Sequence, residues 1–293
     1  MAHAGVRLFA AAVLASPAPG RRIAILPRGG LAVDAQGRIL EVAPLERLRQ
    51  RYSGVPCEDF GPESLLLPGL VDVHTHLPQY QALGIDRGEL LSWLEHLIFP
   101  LEARFSDPEF AEEQAELFFR AALRCGTTTL AVFGPPFEEA TRRAFAVAAR
   151  MGLRVLMGQT LMDCHVPEAL RTPPEKAAQM VEKLLAEWHG YDRGRLSYGV
   201  TPRFAGSCSR ELLRLCADLA QRHGLVLQTH LAESPRELQW IAQLFPEAAD
   251  YTAVYEAAGF LRPHTLFAHA LYLSRSERAR LRAAECALAH CPR

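Results

Sequence analysis

Two histidines stand one residue apart at the end of an apolar run, in LVDVHTH, as His74 and His76. Successive side chains of an extended strand alternate between faces, so both imidazoles point the same way. Such a pair is a ready start for a metal site, although the pattern arises often by chance and equally describes two packed or solvated residues at a strand end. Company strengthens the metal reading: His230 closes LVLQTH and His269 closes HTLFAH. Three or four neutral imidazoles meeting at strand ends suit Zn2+, a borderline-soft cation that takes nitrogen donors and leaves a position for water. The ion lowers the pKa of bound water from about 15.7 to about 7, which predicts hydrolytic chemistry. His290 ends the last apolar run and is either a further member of the set or packing beneath it.

Glu233 lies three residues after His230 in THLAES. A carboxylate there can take a proton from water and pass it to a ring nitrogen or a leaving group. It also stands just before SPRELQWIAQLF, where an acid at a helix N-terminus is favourable in its own right. The two readings are compatible. Arg203, in VTPRF, carries a planar fork of donors suited to a flat polar substrate, though surface arginines are common. Gln79 offers a donor and an acceptor for an amide-like edge, and Phe204 offers a ring to stack on it.

These residues need elements to position them. From Leu65 onward apolar runs alternate with amphipathic stretches, and seven strands are predicted: LLLPGLVDVHTH, TTTLAVFG, RVLMGQTLM, RLSYGVTP, LVLQTHLAE, HTLFAHALY and CALAHC. The intervening helices carry their own punctuation. SDPEFAEEQAELFFRAALRCG has Ser106 or Asp107 to cap its start and Gly126 past its end, and SRELLRLCADLAQRHG has Ser209 and Gly224 in the same places. Strands alternating with helices predict a parallel sheet curled into a (β/α)-type barrel, whose catalytic residues gather at the carboxyl ends of the strands. All four histidines fall there. Residues 1–64 read differently, as short β-rich pieces with a DAQGR turn and a helix only at VAPLERLRQRY. The expected division is therefore a β-rich segment at 1–64 and a barrel at 65–293.

Composition narrows the partners. The chain of 293 residues has 32 Lys+Arg against 33 Asp+Glu, so the long-range field that draws nucleic acid is absent. Seven cysteines without a CxxC pair do not make a disulfide framework, which favours a reducing cytoplasm. The run LFAAAVLA before SPAPG resembles a short secretory signal, but the strand-like IAILPRGGLAVDAQGRILEVAP that follows favours a β-strand. No run approaches the ~20 apolar residues of a membrane helix.

PGLVDVHTH from Pro68, QTHLAE from Gln228 and LFAHALYLS from Leu266 resemble the amidohydrolase superfamily of metal-dependent barrel hydrolases. With HTHLPQY, CGTTTLAVF, VTPRF, YTAVYEAAGFL and AHCP, the resemblance sharpens to the guanine deaminase family. It implies a (β/α)8-type amidohydrolase barrel with a small N-terminal β-sandwich portion and one Zn2+ per subunit, held by His74, His76 and His230. It further implies that His269 contacts water and substrate, that Glu233 shuttles the proton, and that Gln79, Arg203 and Phe204 recognise the purine. The implied reaction is hydrolysis of guanine to xanthine and ammonia, and family members are commonly homodimers. The family completes its metal site with an Asp at the end of the eighth strand, whereas this chain ends at Arg293 after the seventh. The expectation is a barrel incomplete at its C-terminus, with exposed sheet edges. An aminohydrolase acting on another N-heterocycle, or an inactive relic that binds metal or a partner subunit, are the competing readings.

Overall fold

The structure, a computed structural model, describes residues 3–15, 24–85 and 88–291. It divides into two compact units, Met1–Gly69 and Leu70–Arg293.

The first unit is one mixed sheet. β1 (Arg7–Ala15) pairs antiparallel with β2 (Ala24–Val33), β2 pairs antiparallel with β3 (Ile39–Pro44), and β4 (Cys57–Asp59) and β5 (Leu65–Leu66) lie parallel to β1. The signal-like apolar run is thus a strand, while SPAPG lies outside the described residues. Asp34 builds the predicted turn by accepting from the backbone N–H groups of Gln36 and Arg38. Helix Leu45–Arg51 follows at once, and Leu8, Ala32, Ala43, Leu48 and Tyr52 form the core of this unit.

The second unit carries the barrel strands β6 (Leu70–His76), β7 (Thr127–Gly134), β8 (Arg154–Leu161), β9 (Leu196–Tyr198), β10 (Thr201–Pro202), β11 (Leu227–Leu231), β12 (Thr265–His269) and β13 (Ala287–Ala289). The first strand differs from the sequence expectation. Pro68, with no N–H to donate, splits LLLPGLVDVHTH, so that Leu65–Leu66 joins β1 while the barrel begins at Leu70. All pairings in this unit are parallel, running β6-β7-β8 and on to β9 and β10, with a bridge from Val200 to Leu227, then β11-β12-β13. β9 and β10 are one predicted strand broken at Gly199, where the main chain passes tightly against β8: a Cβ on Gly158 would lie 1.8 Å from the Gly199 carbonyl oxygen. Among the described residues no strand joins β13 to β6, so the barrel is open between its first and seventh staves.

The helices behave as their sequences dictate. Asp107 caps Pro108–Arg124 by accepting from the N–H groups of Glu109 and Phe110, and Gly126 follows with φ +83°. Ser209 caps Arg210–Arg222 through the N–H of Leu212. One helix was not legible in advance. Residues 90–103 run through a π-helical segment, Leu94–Ile98, that ends two residues before Pro100, whose ring and missing N–H disturb the regular ladder.

Candidate active site

The carboxyl ends of the strands open into a cavity of about 830 Å³. His74, His76, Gln79, Arg203, Phe204, His230, Glu233 and His269 all line it. His290 does not, and is exposed.

The HxH pair behaves as alternation requires, although β6 has a register shift between Asp72 and Thr75, where Asp72 Oδ1 accepts from the backbone N–H of His74. The rings of His74 and His76 lie 5.1 Å apart, and both pack on Phe133 of β7, at 5.1 and 4.5 Å. His230 stacks on His76 at 4.9 Å, and His269 stacks on His230 at 5.5 Å. Ligand atoms of His74, His76 and His230 all fall within 4.8 Å of one another, as do those of His230, Glu233 and His269.

The tautomers support cation binding. A carbonyl can only accept, so His230 donates its Nδ1–H to the Arg203 carbonyl oxygen at 2.7 Å, leaving Nε2 as a lone pair. That lone pair faces His76 Nε2 at 2.9 Å, while His76 Nδ1 is buried with no hydrogen-bond partner among the described residues. Burial, reinforced by mutual proximity and by the charge of Arg203, lowers His74 to about 3 and holds His76 and His230 well below the ordinary imidazole value. Burial alone lowers His269 to about 4. Four imidazoles kept neutral and crowded together are the protonation state a metal centre requires.

Backbone conformation aims these groups. Ala232, His269 and Ala270 have φ of +53°, +70° and +54°, a region that non-glycine residues adopt at a cost of about 1–3 kcal/mol each. Ala270 N–H to Leu231 O at 2.7 Å and Leu271 N–H to Ala232 O at 3.1 Å hold the two turns together. Glu233 Oε2 consequently lies 3.5 Å from His269 Nε2. Burial, with Glu237 adding like charge, raises Glu233 to about 8, so the carboxyl holds a proton at neutral pH.

Several supporting residues escaped the sequence reading. Arg203 is only 2% exposed, and its Nη1 donates to both carboxylate oxygens of Glu102 at 2.7 Å, with its guanidinium carbon 5.3 Å from the Phe99 ring. Both partners come from the π-interrupted helix, about a hundred residues away in the chain, so no local signal could have paired them. Glu237 was findable, because Ser-x-x-Glu from Ser234 is a capping box. Its carboxylate also accepts from the backbone N–H of Glu233 at 2.7 Å and from Tyr251 Oη at 2.8 Å. Phe133 also packs on His230, with ring centroids 4.5 Å apart, and Trp93 lines the same cavity.

An open parallel barrel with histidines and an acid at its strand ends is an amidohydrolase arrangement. The amidohydrolase family pattern matches residues 65–293, and the chain belongs to this family. Members of the family typically use a metal. The chain is 38% identical over 269 residues to the "Probable guanine deaminase" of Deinococcus radiodurans, and 34% identical over 229 residues to the guanine deaminase of Escherichia coli K12. These alignments cover 90% and 78% of this chain, but only 61% and 52% of the two relatives. The fold superposes on the crystal structure of guanine deaminase from C. acetobutylicum with guanine bound in the active site. The TM-score is 0.91 at 27% identity, covering 98% of this chain and 68% of that one.

Proposed function

We propose that this chain carries a zinc-dependent site for the hydrolytic deamination of guanine to xanthine and ammonia, built on the barrel segment of residues 65–293. The observation that carries the reading is the convergence of His74, His76, His230 and His269 with a proton-holding Glu233 in one cavity. His74, His76 and His230 would hold one zinc ion, whose chemistry when bound is to make water acidic enough to supply hydroxide near neutral pH.

The remaining work falls to the chain's own groups. Gln79 reads the amide-like edge of the purine, Phe204 covers its ring, and Arg203, held by Glu102, offers its remaining donors to the ring's acceptors. Glu233 delivers its proton to N3 as water adds at C2, and takes up the proton that the water loses. His269 Nε2, 3.5 Å from Glu233 Oε2, orients that carboxyl and the attacking water. Glu233 passes that proton to the amine, the C2–amine bond breaks as the C2 hydroxyl becomes a carbonyl and returns its proton to Glu233, and ammonia leaves, so guanine and water account for both products. A cytoplasmic location is supported by seven cysteines that are all free. A homodimer is proposed from the resemblance to the guanine deaminase family.

The test is ammonia release from guanine by the purified chain supplied with zinc, compared with Glu233→Ala. Release that is zinc-dependent and falls by at least about 100-fold in the variant, the scale of a lost general acid–base group, is expected. A folded, zinc-containing protein that releases no ammonia overturns the proposal.

A further inference from the structure

The cavity holds a third ligand cluster, His74, His269 and Cys291, whose ligand atoms lie within 4.8 Å of one another and of which the hydrolytic reading leaves Cys291 unused. Cys291 follows β13, is half-buried, and lines the same cavity as the histidines. Its Sγ donates a weak hydrogen bond to the Ala289 carbonyl oxygen at 3.4 Å, and burial raises its pKa, so a bound cation must displace the thiol proton. His74 belongs both to this cluster and to the one with His76 and His230, and its ring lies 5.2 Å from that of His269. A site bounded by nitrogen donors on one side and sulfur on the other discriminates among ions by softness, since thiolates prefer thiophilic cations.

We propose that Cys291 is a sulfur ligand of this centre, binding a soft divalent cation together with His74 and His269. The inference rests on the metal reading of the histidine site and adds a donor to it. On binding, the S–H bond breaks, a sulfur–metal bond forms and the proton passes to water; no electron is transferred.

The experiment is titration of the full chain with Co2+, and separately with Cd2+, under a phosphine reductant that does not itself present a thiol. Sulfur ligation gives Co2+ a near-ultraviolet sulfur-to-metal charge-transfer band, distinct from the visible d–d bands that nitrogen and oxygen ligands alone produce. The band is expected in the unaltered protein and in Cys125→Ser, whose thiol also lines the cavity but lies outside the cluster. It should vanish in Cys291→Ser while the d–d bands persist, and Cd2+ affinity should fall in that variant by about tenfold or more, the scale seen on losing a group that supports a metal site. Visible bands without the charge-transfer band in the unaltered protein, or a band that survives in Cys291→Ser, overturn the sulfur ligand and leave the histidine site standing. No cobalt bound at all overturns both.

Discussion

Burial shifts the four histidines of the site and Glu233 in opposite directions, lowering the bases and raising the acid. For His74 and His269 the folded values of about 3 and about 4 lie below the ordinary 6.5. Their contribution to stability is therefore present above pH 6.5 and lost as the pH falls toward those values. Glu233 has the opposite sign: raised from 4.5 to about 8, it contributes stability at low pH that is lost as the pH rises across that interval. The metal-free protein should accordingly show a denaturant midpoint that declines on both sides of the weakly acidic range. Glu233→Gln should flatten the alkaline limb and leave the acid limb in place; an unchanged alkaline limb would remove Glu233 from this role. His230→Ala should abolish stoichiometric zinc uptake, measured by equilibrium dialysis, because it removes the imidazole whose tautomer the Arg203 carbonyl determines.

Elements matter here for what they bring from afar. The irregular helix at residues 90–103 delivers Glu102 to Arg203, and both ions are almost fully buried. Removing one partner leaves an uncompensated charge, so Glu102→Ala should cost about 3–5 kcal/mol of unfolding free energy by denaturant titration. Glu102→Gln, which keeps an acceptor, should cost less and should still raise the KM for guanine by loosening Arg203. The helix beginning at Pro235 uses one residue twice, since Glu237 closes the capping box and holds the backbone of Glu233. Glu237→Ala should lose about 1–3 kcal/mol, the scale of a buried polar group left unpaired at Tyr251, and lower the proposed guanine turnover with it.

At the scale of the molecule, the open side of the barrel dominates. β6 exposes Leu70, Val71 and Val73 at 54%, 62% and 44%, and β13 exposes Leu288 at 47%. Among the described residues the outer edges of β6 and β13 have no strand partner, and such edges flanked by apolar side chains invite association through further strand pairing. Sedimentation velocity should show concentration-dependent self-association, and Val71→Lys with Val73→Lys should reduce it by placing charge on the edge. Association unaffected by the lysines would locate the contact elsewhere and remove the support for a dimer through β6.

Much of this protein is legible in its residues alone, because local rules govern what they say. Alternation aimed His74 and His76 together, apolar runs marked the seven barrel strands, and capping residues set the helix starts at Asp107 and Ser209. The histidines could be named as a set because a parallel barrel places all its strand ends at one mouth. Tertiary structure alone decided the rest. The Glu102–Arg203 pair, the Phe133 floor under the imidazoles, the proton held on Glu233 and the approach of Cys291 to His74 and His269 depend on distance and burial between segments far apart in the chain. No periodicity encodes such meetings: a side chain's charge state and partners are set by the dielectric and the neighbours it acquires only when the sheet curls.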